Sequence, residues 1–192
     1  MVRRAQKVHK VVKEWNMAND LQYIGSRCLH RMVDDRQHDS TCPSACGRRK
    51  RGQQSQALGR SRGGLSTKIH ASTDALGNPT RFILTGGERP DCEQALNLLW
   101  QQKADAVLAD KGYDAEYIVD AVAQMEAEVV IPPKSNRKVA REYDIHIYKE
   151  RNLIERMYGK LKHFRRVATR YDKLASSYLS FVLVAAIYLW LK

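Results

Sequence analysis

Between Leu65 and Leu161 the apolar residues change period several times, and the order of those changes leaves few architectures open. Leu65–Asp74 and Thr80–Thr85 are alternating, β-branched runs on either side of Gly77-Asn78-Pro79, which reads as a β-hairpin. Asp91 is placed to cap a helix over Cys92–Gln102, with Ala95, Leu96, Leu98, Leu99 and Trp100 as its apolar face. Ala106–Asp110 is a short apolar strand that stops at an acid. The turn Lys111–Asp114 then leads into a helix over Ala115–Met125, with Asp110 or Asp114 available as its cap. Val129–Ile131 is a further buried strand, halted by Pro132-Pro133. A basic loop (Lys134, Arg137, Lys138, Arg141) joins it to the next helical stretch. Hairpin, helix, strand, helix, strand, helix is a mixed α/β order: a mixed sheet flanked by helices.

That last helical stretch, Tyr148–Lys162, divides into two faces. At roughly 100° per residue, with Arg151 at zero, Lys162, Glu155 and Tyr148 fall at about 20°, 40° and 60°. Leu153, Ile154, Met157, Leu161 and Phe164 gather on the opposite side as a core stripe. Glu150 lies near the apolar side, so Glu155 is the carboxylate set among cations and a phenol. The plain alternative is an amphipathic helix with a solvated polar face. Asp110 has a similar pair of readings. It is a turn residue opening a helix, or a carboxylate held at the C-terminal end of a strand, where a sheet fixes position and a loop admits substrate.

Charge narrows the partner. Lys and Arg number 33 against 21 Asp and Glu, a net +12. That excess favours a polyanion, nucleic acid before membrane. The apolar run Tyr178–Leu191 is shorter than the ~20 residues of a membrane span and reads as a buried terminal helix. Met1-Val2-Arg3-Arg4 is followed by further charge, not an apolar leader core, and the four cysteines are unevenly placed, so a reducing cytoplasm is expected. Residues 1–31 read as a basic N-terminal segment with one short helix around Val8, Val11, Val12 and Trp15. Leu29–Asp35 reads as a strand ending in acid. Residues 36–64 form a cationic loop (Arg48, Arg49, Lys50, Arg51, Arg60, Arg62), either a solvated linker or a contact with a DNA backbone. Cys28, His30, His38, Cys42 and Cys46 offer soft ligands, but Cys-x3-Cys without a second firm pair is a weak zinc pattern, and unpaired thiols are expected.

Tyr148, Arg151, Glu155 and Lys162, in the order Tyr-x2-Arg-x3-Glu-x6-Lys, resemble the signature of the DDE transposases of bacterial insertion sequences, the insertion-sequence four/five superfamily. Ala109–Asp114 resembles the second-aspartate motif of that family, and Gly59–His70 its stretch between the first aspartate and the hairpin. Ile131–Lys138 and Ala168–Lys173 fit as well, so the likeness runs from about Gly59 to Lys192. It implies a ribonuclease H-like catalytic domain over residues 32–192, with 1–31 as an arm or remnant. It also implies a carboxylate triad of Asp35, Asp110 and Glu155 holding two Mg²⁺ or Mn²⁺ ions. Such ions take hard oxygen ligands, and as a pair they activate an attacking oxygen and stabilise a leaving one.

The first acid is where this chain departs from the pattern, which sets it at the end of the first strand. Asp39-Ser40-Thr41 matches the expected tripeptide but follows no apolar strand. Asp34 and Asp35 follow Met32-Val33 and are better spaced from Pro43 and Gly59. The order of preference is Asp35, Asp39, Asp34. Tyr148, Arg151, Lys162, Arg60, Arg62 and Lys68 are expected to contact DNA, chiefly phosphate, which positions a duplex without reading it. The implied activity is metal-dependent cleavage and strand transfer at insertion-sequence ends. The implied partner is double-stranded DNA, as element end and as target, bound by a homo-oligomer with no membrane involved. Rival readings are a catalytically impaired DNA-binding remnant that occupies element ends, and a structure-specific nuclease on the same fold.

Overall fold

The computed structural model describes residues 21–31, 56–61, 64–137 and 141–192, with 21–31, 60–61 and 64–65 described by backbone alone. Among these residues six strands form one sheet: β1 (Leu21–Arg31), β2 (Gly59–Ser61), β3 (Gly64–Thr73), β4 (Pro79–Gly86), β5 (Ala106–Ala109) and β6 (Glu128–Val130). Their order is β2-β3-β1-β5-β6, with β4 also paired to β3. β1 is antiparallel to β3 and parallel to β5, and β6 is parallel to β5. The helices are α1 (Ala95–Leu99), α2 (Glu116–Gln124), α3 (Ile145–Tyr148), α4 (Asn152–Leu161), α5 (Arg165–Ala168) and α6 (Ala175–Trp190). The mixed α/β architecture expected from the sequence is the one observed.

The expected hairpin is β3–β4. Its turn is organised by Asp74, whose Oδ1 accepts hydrogen bonds from the backbone N–H of Leu76 (2.9 Å) and Asn78 (2.8 Å). Gly77, at φ 82°, supplies the left-handed residue that this closure needs.

β5 shows how the sheet divides its core. Ala106 and Leu108 pack with Ile154, Met157, Leu161, Tyr178 and Val182 on one face. Val107 and Ala109 pack with Leu98, Leu99, Ile118 and Val122 on the other. All four β5 residues are buried, as a strand covered on both faces requires. In α4, Ile154, Met157, Tyr158 and Leu161 are buried at the spacing of one helix face. Full burial of a side chain such as Leu108 or Ile118 stabilises by about 1.5–3 kcal/mol.

Several expectations need correction. The sheet's central strand is Leu21–Arg31, which lies within the segment read as a basic arm. Gly25-Ser26-Arg27 interrupts its apolar alternation, and backbone pairing to β3 and β5 on both sides defines the strand instead. Of the expected strand Leu29–Asp35, residues 29–31 belong to β1; the rest, like the expected helix around Val8–Trp15, lies outside the described residues. The helix expected over Cys92–Gln102 is a 3₁₀ turn, Asp91–Gln94, followed by α1. It ends at Trp100, and Gln101 has φ 58°. Asp91 makes no capping hydrogen bond; its carboxylate instead pairs with Lys68 Nζ at 2.7 Å. Ala115, not Asp110 or Asp114, is the N-cap residue of α2, without a side-chain bond.

One buried cation ties the ends of the fold together. Arg170 is 2% exposed. Its Nε donates to Asp172 O, and its Nη2 to Gln56 O and Lys173 O, at 2.8, 2.9 and 3.0 Å. Nη1 donates to Ala57 O at 3.3 Å and also to Thr67 Oγ1. The guanidinium lies 5.2 Å from the centre of the Tyr178 ring. The fork thus joins residues 56–57 and β3 to the loop before α6. Trp190 Nε1 donates to Pro79 O (2.8 Å), fixing the far end of α6 on the hairpin. Among the described residues no helix is long and apolar enough to cross a membrane.

Candidate active site

Two carboxylates meet where β5 ends and α4 begins. Asp110 is the first residue past β5. Strand alternation carries it to the Ala106–Leu108 face, the one packed against α4. Glu155 lies in the first turn of α4. Arg151 joins them: its Nη1 is 3.0 Å from Asp110 Oδ1 and 3.0 Å from Glu155 Oε1. The two carboxylate oxygens are therefore no more than about 6 Å apart, by the geometry of a shared donor. Both side chains are about half exposed, at 56% and 51%, so the pair opens to solvent.

The backbone explains why Tyr148 and Arg151 reach the same acid. Helical geometry starts before the expected Tyr148, at Ile145, because Asp144 caps it by accepting from His146 N (2.6 Å) and Ile147 N (3.1 Å). Between α3 and α4 the chain tightens to a 3₁₀ turn over Lys149–Arg151. Side chains three apart nearly eclipse in such a turn, so Tyr148 and Arg151 stack more closely than an even α-helix would bring them. The Arg151 guanidinium lies 5.4 Å from the centre of the Tyr148 ring. Tyr148 OH donates to Asp110 Oδ1 at 3.3 Å, and Tyr143 packs edge-on against the same ring. Partial burial pushes the Tyr148 phenol above its ordinary pKa; the Arg151 charge acts against this and the adjacent Asp110 adds to it. It is a proton donor at neutral pH.

Lys162 keeps the face read from the sequence but lies eleven residues beyond Arg151, about 16 Å along the helix axis. It is exposed and has no polar partner among the described residues. Lys68 stands differently: its ammonium donates to Asp91 Oδ1 and Arg89 O, both at 2.7 Å, and its side chain is 15% exposed. Arg60 belongs to β2, paired with Leu65, and its side chain is not among those described. Arg62, Asp34, Asp35 and Asp39 lie outside the described residues, as do His38, Cys42 and Cys46.

The parallel register of β1 and β5 pairs Ile24 with Ala109. One step further, Gly25 stands level with Asp110. No Asp or Glu occurs between Leu21 and Arg31. Among the described residues no cluster of three potential metal ligands forms. Asp110 and Glu155, already converging on one cation, suit a single shared divalent ion; a second ion needs a carboxylate from elsewhere.

Sequence reasoning assigned Asp114 only to a possible cap. Its side chain is 1% exposed and ion-paired with Arg137 and Arg141, while Lys134 N donates to its Oδ2 at 2.8 Å. Burial alone would raise its pKa. The Lys134 N–H and the two guanidinium charges outweigh burial and hold it below the usual carboxylate value. The signal was present in the basic residues of the following loop, but nothing in the sequence said which acid they face.

Comparison with known proteins assigns the ancestry. The Transposase DDE domain family matches residues 35–190. The chain belongs to that family. Over 130 residues it is 37% identical to a protein of Brucella ovis named as a transposase for insertion sequence element IS6501, covering 67% of this chain and all of that one. Over 128 residues it is 32% identical to a protein of Burkholderia cepacia named as a transposase for insertion sequence element IS402, covering 60% of this chain and 58% of the relative. For this DDE-domain chain, β1 precedes the matched range, whereas Asp110, Arg151 and Glu155 fall inside it.

Proposed function

We propose that this chain acts on the ends of an insertion sequence, cutting and joining DNA strands by metal-dependent phosphodiester chemistry on a ribonuclease H-like domain. The observation that carries this reading is the convergence of Asp110 and Glu155 on Arg151 at the end of β5. The sheet order around β1, three antiparallel strands joined to two parallel ones, supports the fold assignment.

Asp110 and Glu155 would hold Mg²⁺ or Mn²⁺, with Asp35 (or Asp39 or Asp34) as the third carboxylate of a two-ion site. Such ions, when bound, supply Lewis acidity to the attacking and leaving oxygens. The chain's own residues do the positioning. Tyr148 donates to Asp110 and so orients one of its oxygens. Arg151 offers a planar fork that suits a phosphate as well as it suits the two carboxylates. Lys162, about three helical turns on, reaches a different part of the same backbone. Two DNA ends must be handled together for joining, so a homo-oligomer on DNA is part of this reading.

The direct test is nicking of duplex DNA carrying the element end, in Mn²⁺, by wild type, Asp110→Asn and Glu155→Gln. Loss of cutting by about 10²-fold or more in both variants, with DNA binding retained, is the expected result. Unchanged cutting in Glu155→Gln sinks the assignment.

A second reading is favoured by one observation: β1 carries no acid, and the position level with Asp110 is Gly25. In that case the chain binds element ends without cutting them. Salt-sensitive binding with no metal-dependent nicking by wild type distinguishes it.

A further inference from the structure

Beside the carboxylate pair lies a second feature that the proposed chemistry does not use. A cavity of about 670 Å³ is lined by Lys111, Gly112, Pro133, Lys134, Ser135 and Asn136. Among the described residues no acid lines it. Lys111, Gly112, Lys134, Ser135 and Asn136 are all exposed, and neither lysine is ion-paired among the described residues. Lys111 and Gly112 directly follow Asp110, which places the cavity next to the metal-binding candidates.

The surrounding cations divide into two kinds. Arg137 and Arg141 are about a fifth exposed and are bound to the buried Asp114, and Arg137 also meets Glu116. Arg141 Nη2 donates in addition to Ile131 O. These arginines are structural: they clamp the loop after β6 onto the start of α2. The clamp holds Lys134, Ser135 and Asn136 in a turn closed by the hydrogen bond from Arg137 N to Lys134 O, at 3.0 Å. The result is a fixed concave site with two ammonium groups, a hydroxyl and a side-chain amide, all able to donate.

We infer that this cavity is a backbone-phosphate site, formed by Lys111, Lys134, Ser135 and Asn136, for the DNA strand that runs past Asp110 and Glu155. Point-charge ammoniums and neutral donors suit a phosphate without selecting a base. At Gly112 an added Cβ would meet nothing within 4 Å among the described residues, which leaves that edge open to a strand on their side. The inference rests on the DNA-binding reading above.

The test is the salt dependence of duplex binding by the full chain, measured by fluorescence anisotropy for wild type and Lys111→Gln/Lys134→Gln. Lys103→Gln serves as a control, because Lys103 is exposed and precedes the start of β5, at the opposite end of that strand from Asp110. Each lost phosphate contact lowers the slope of log affinity against log salt by about 0.9. The double variant should therefore lose about 1.8 in slope and bind about tenfold less sensitively between 50 and 200 mM salt. Lys103→Gln should behave as wild type. An unchanged slope in the double variant, with wild type binding DNA, overturns the phosphate site and leaves the DNA reading intact. Failure of wild type to bind any duplex overturns both.

Discussion

Arg151 Nη1 stands 3.0 Å from Asp110 Oδ1 and 3.0 Å from Glu155 Oε1, so a single nitrogen bridges acids that lie 45 positions apart in the chain. A guanidinium there compensates two carboxylates that would otherwise repel each other at short range. A divalent ion bound by both acids would take over that compensation.

Arg151 and the ion should therefore compete for the same oxygens. Arg151→Gln is expected to tighten Mn²⁺ binding, measured by electron paramagnetic resonance, while Asp110→Asn weakens it. The same Arg151→Gln variant should bind end-containing duplex less tightly, with a salt slope smaller by about 0.9 if the guanidinium meets one phosphate. Weaker Mn²⁺ binding in Arg151→Gln would show that the arginine orients the acids more than it occupies their place.

The first acid can be located by substitution. Asp35→Asn is expected to abolish metal-dependent nicking, and Asp34→Asn and Asp39→Asn to leave it within a few-fold of wild type. Loss in Asp39→Asn alone would move the assignment to the Asp-Ser-Thr tripeptide. If wild type does not cut, Gly25→Asp becomes the informative variant. It places a carboxylate level with Asp110 on the parallel neighbour strand, and it should raise Mn²⁺ affinity measurably if that position completes the site.

How much of this was legible in the sequence depends on where each signal is encoded. The hairpin, β5 and its terminal acid, and the amphipathic helix carrying Glu155 are local patterns, and each lies within a few residues of its expected place. β1 was hidden because Gly25-Ser26-Arg27 breaks the alternation, and its identity comes from partners 35 or more residues away in sequence. The helical wheel placed Arg151 and Glu155 on one face correctly. It could not foresee the 3₁₀ tightening that brings Tyr148 over Arg151. The pairing of Asp114 with Arg137 and Arg141 was likewise out of reach, since charge composition does not say which charges meet.

That pairing should matter for stability. Removing the carboxylate leaves the Lys134 N–H without its acceptor and takes one anion from two partly buried guanidiniums, Arg137 keeping Glu116 and Arg141 keeping Ile131 O. Asp114→Ala should cost roughly 3 kcal/mol, the low end for a broken buried pair because both arginines keep about a fifth of their surface in water. Urea unfolding monitored by circular dichroism measures it. A loss within about 0.5 kcal/mol would place the cluster among ordinary surface contacts.

Arg170 makes a sharper case, being buried and satisfied mainly by carbonyls. Arg170→Met fills much of the same volume but leaves Gln56 O, Asp172 O and Lys173 O without their donor. A buried acceptor left unpaired costs about 1–3 kcal/mol. A loss of at least about 3 kcal/mol is expected for the group, and limited proteolysis should cut first near residues 56–57 once they are released from the loop before α6. Arg170→Lys should recover little, because one ammonium cannot reproduce the fork.

His70 supplies the pH dependence. It is fully buried on β3, its Nε2 is 2.7 Å from Thr85 Oγ1, and its Nδ1 has no partner among the described residues. Burial lowers its pKa to about 4; Asp91 acts against that shift and Lys68 with it. The folded state thus holds the ring neutral, whereas the unfolded chain protonates it near 6.5. The contribution to stability is fully present above pH 6.5 and is lost as pH falls from 6.5 through 4, up to about 3 kcal/mol for a shift of this size. His70→Gln keeps a donor for Thr85 but cannot titrate. Its stability relative to wild type should therefore improve steadily as the pH of the unfolding experiment is lowered from 7 to 4.5. Parallel pH profiles for the two proteins would show that the ring protonates in the folded state as readily as in the unfolded one.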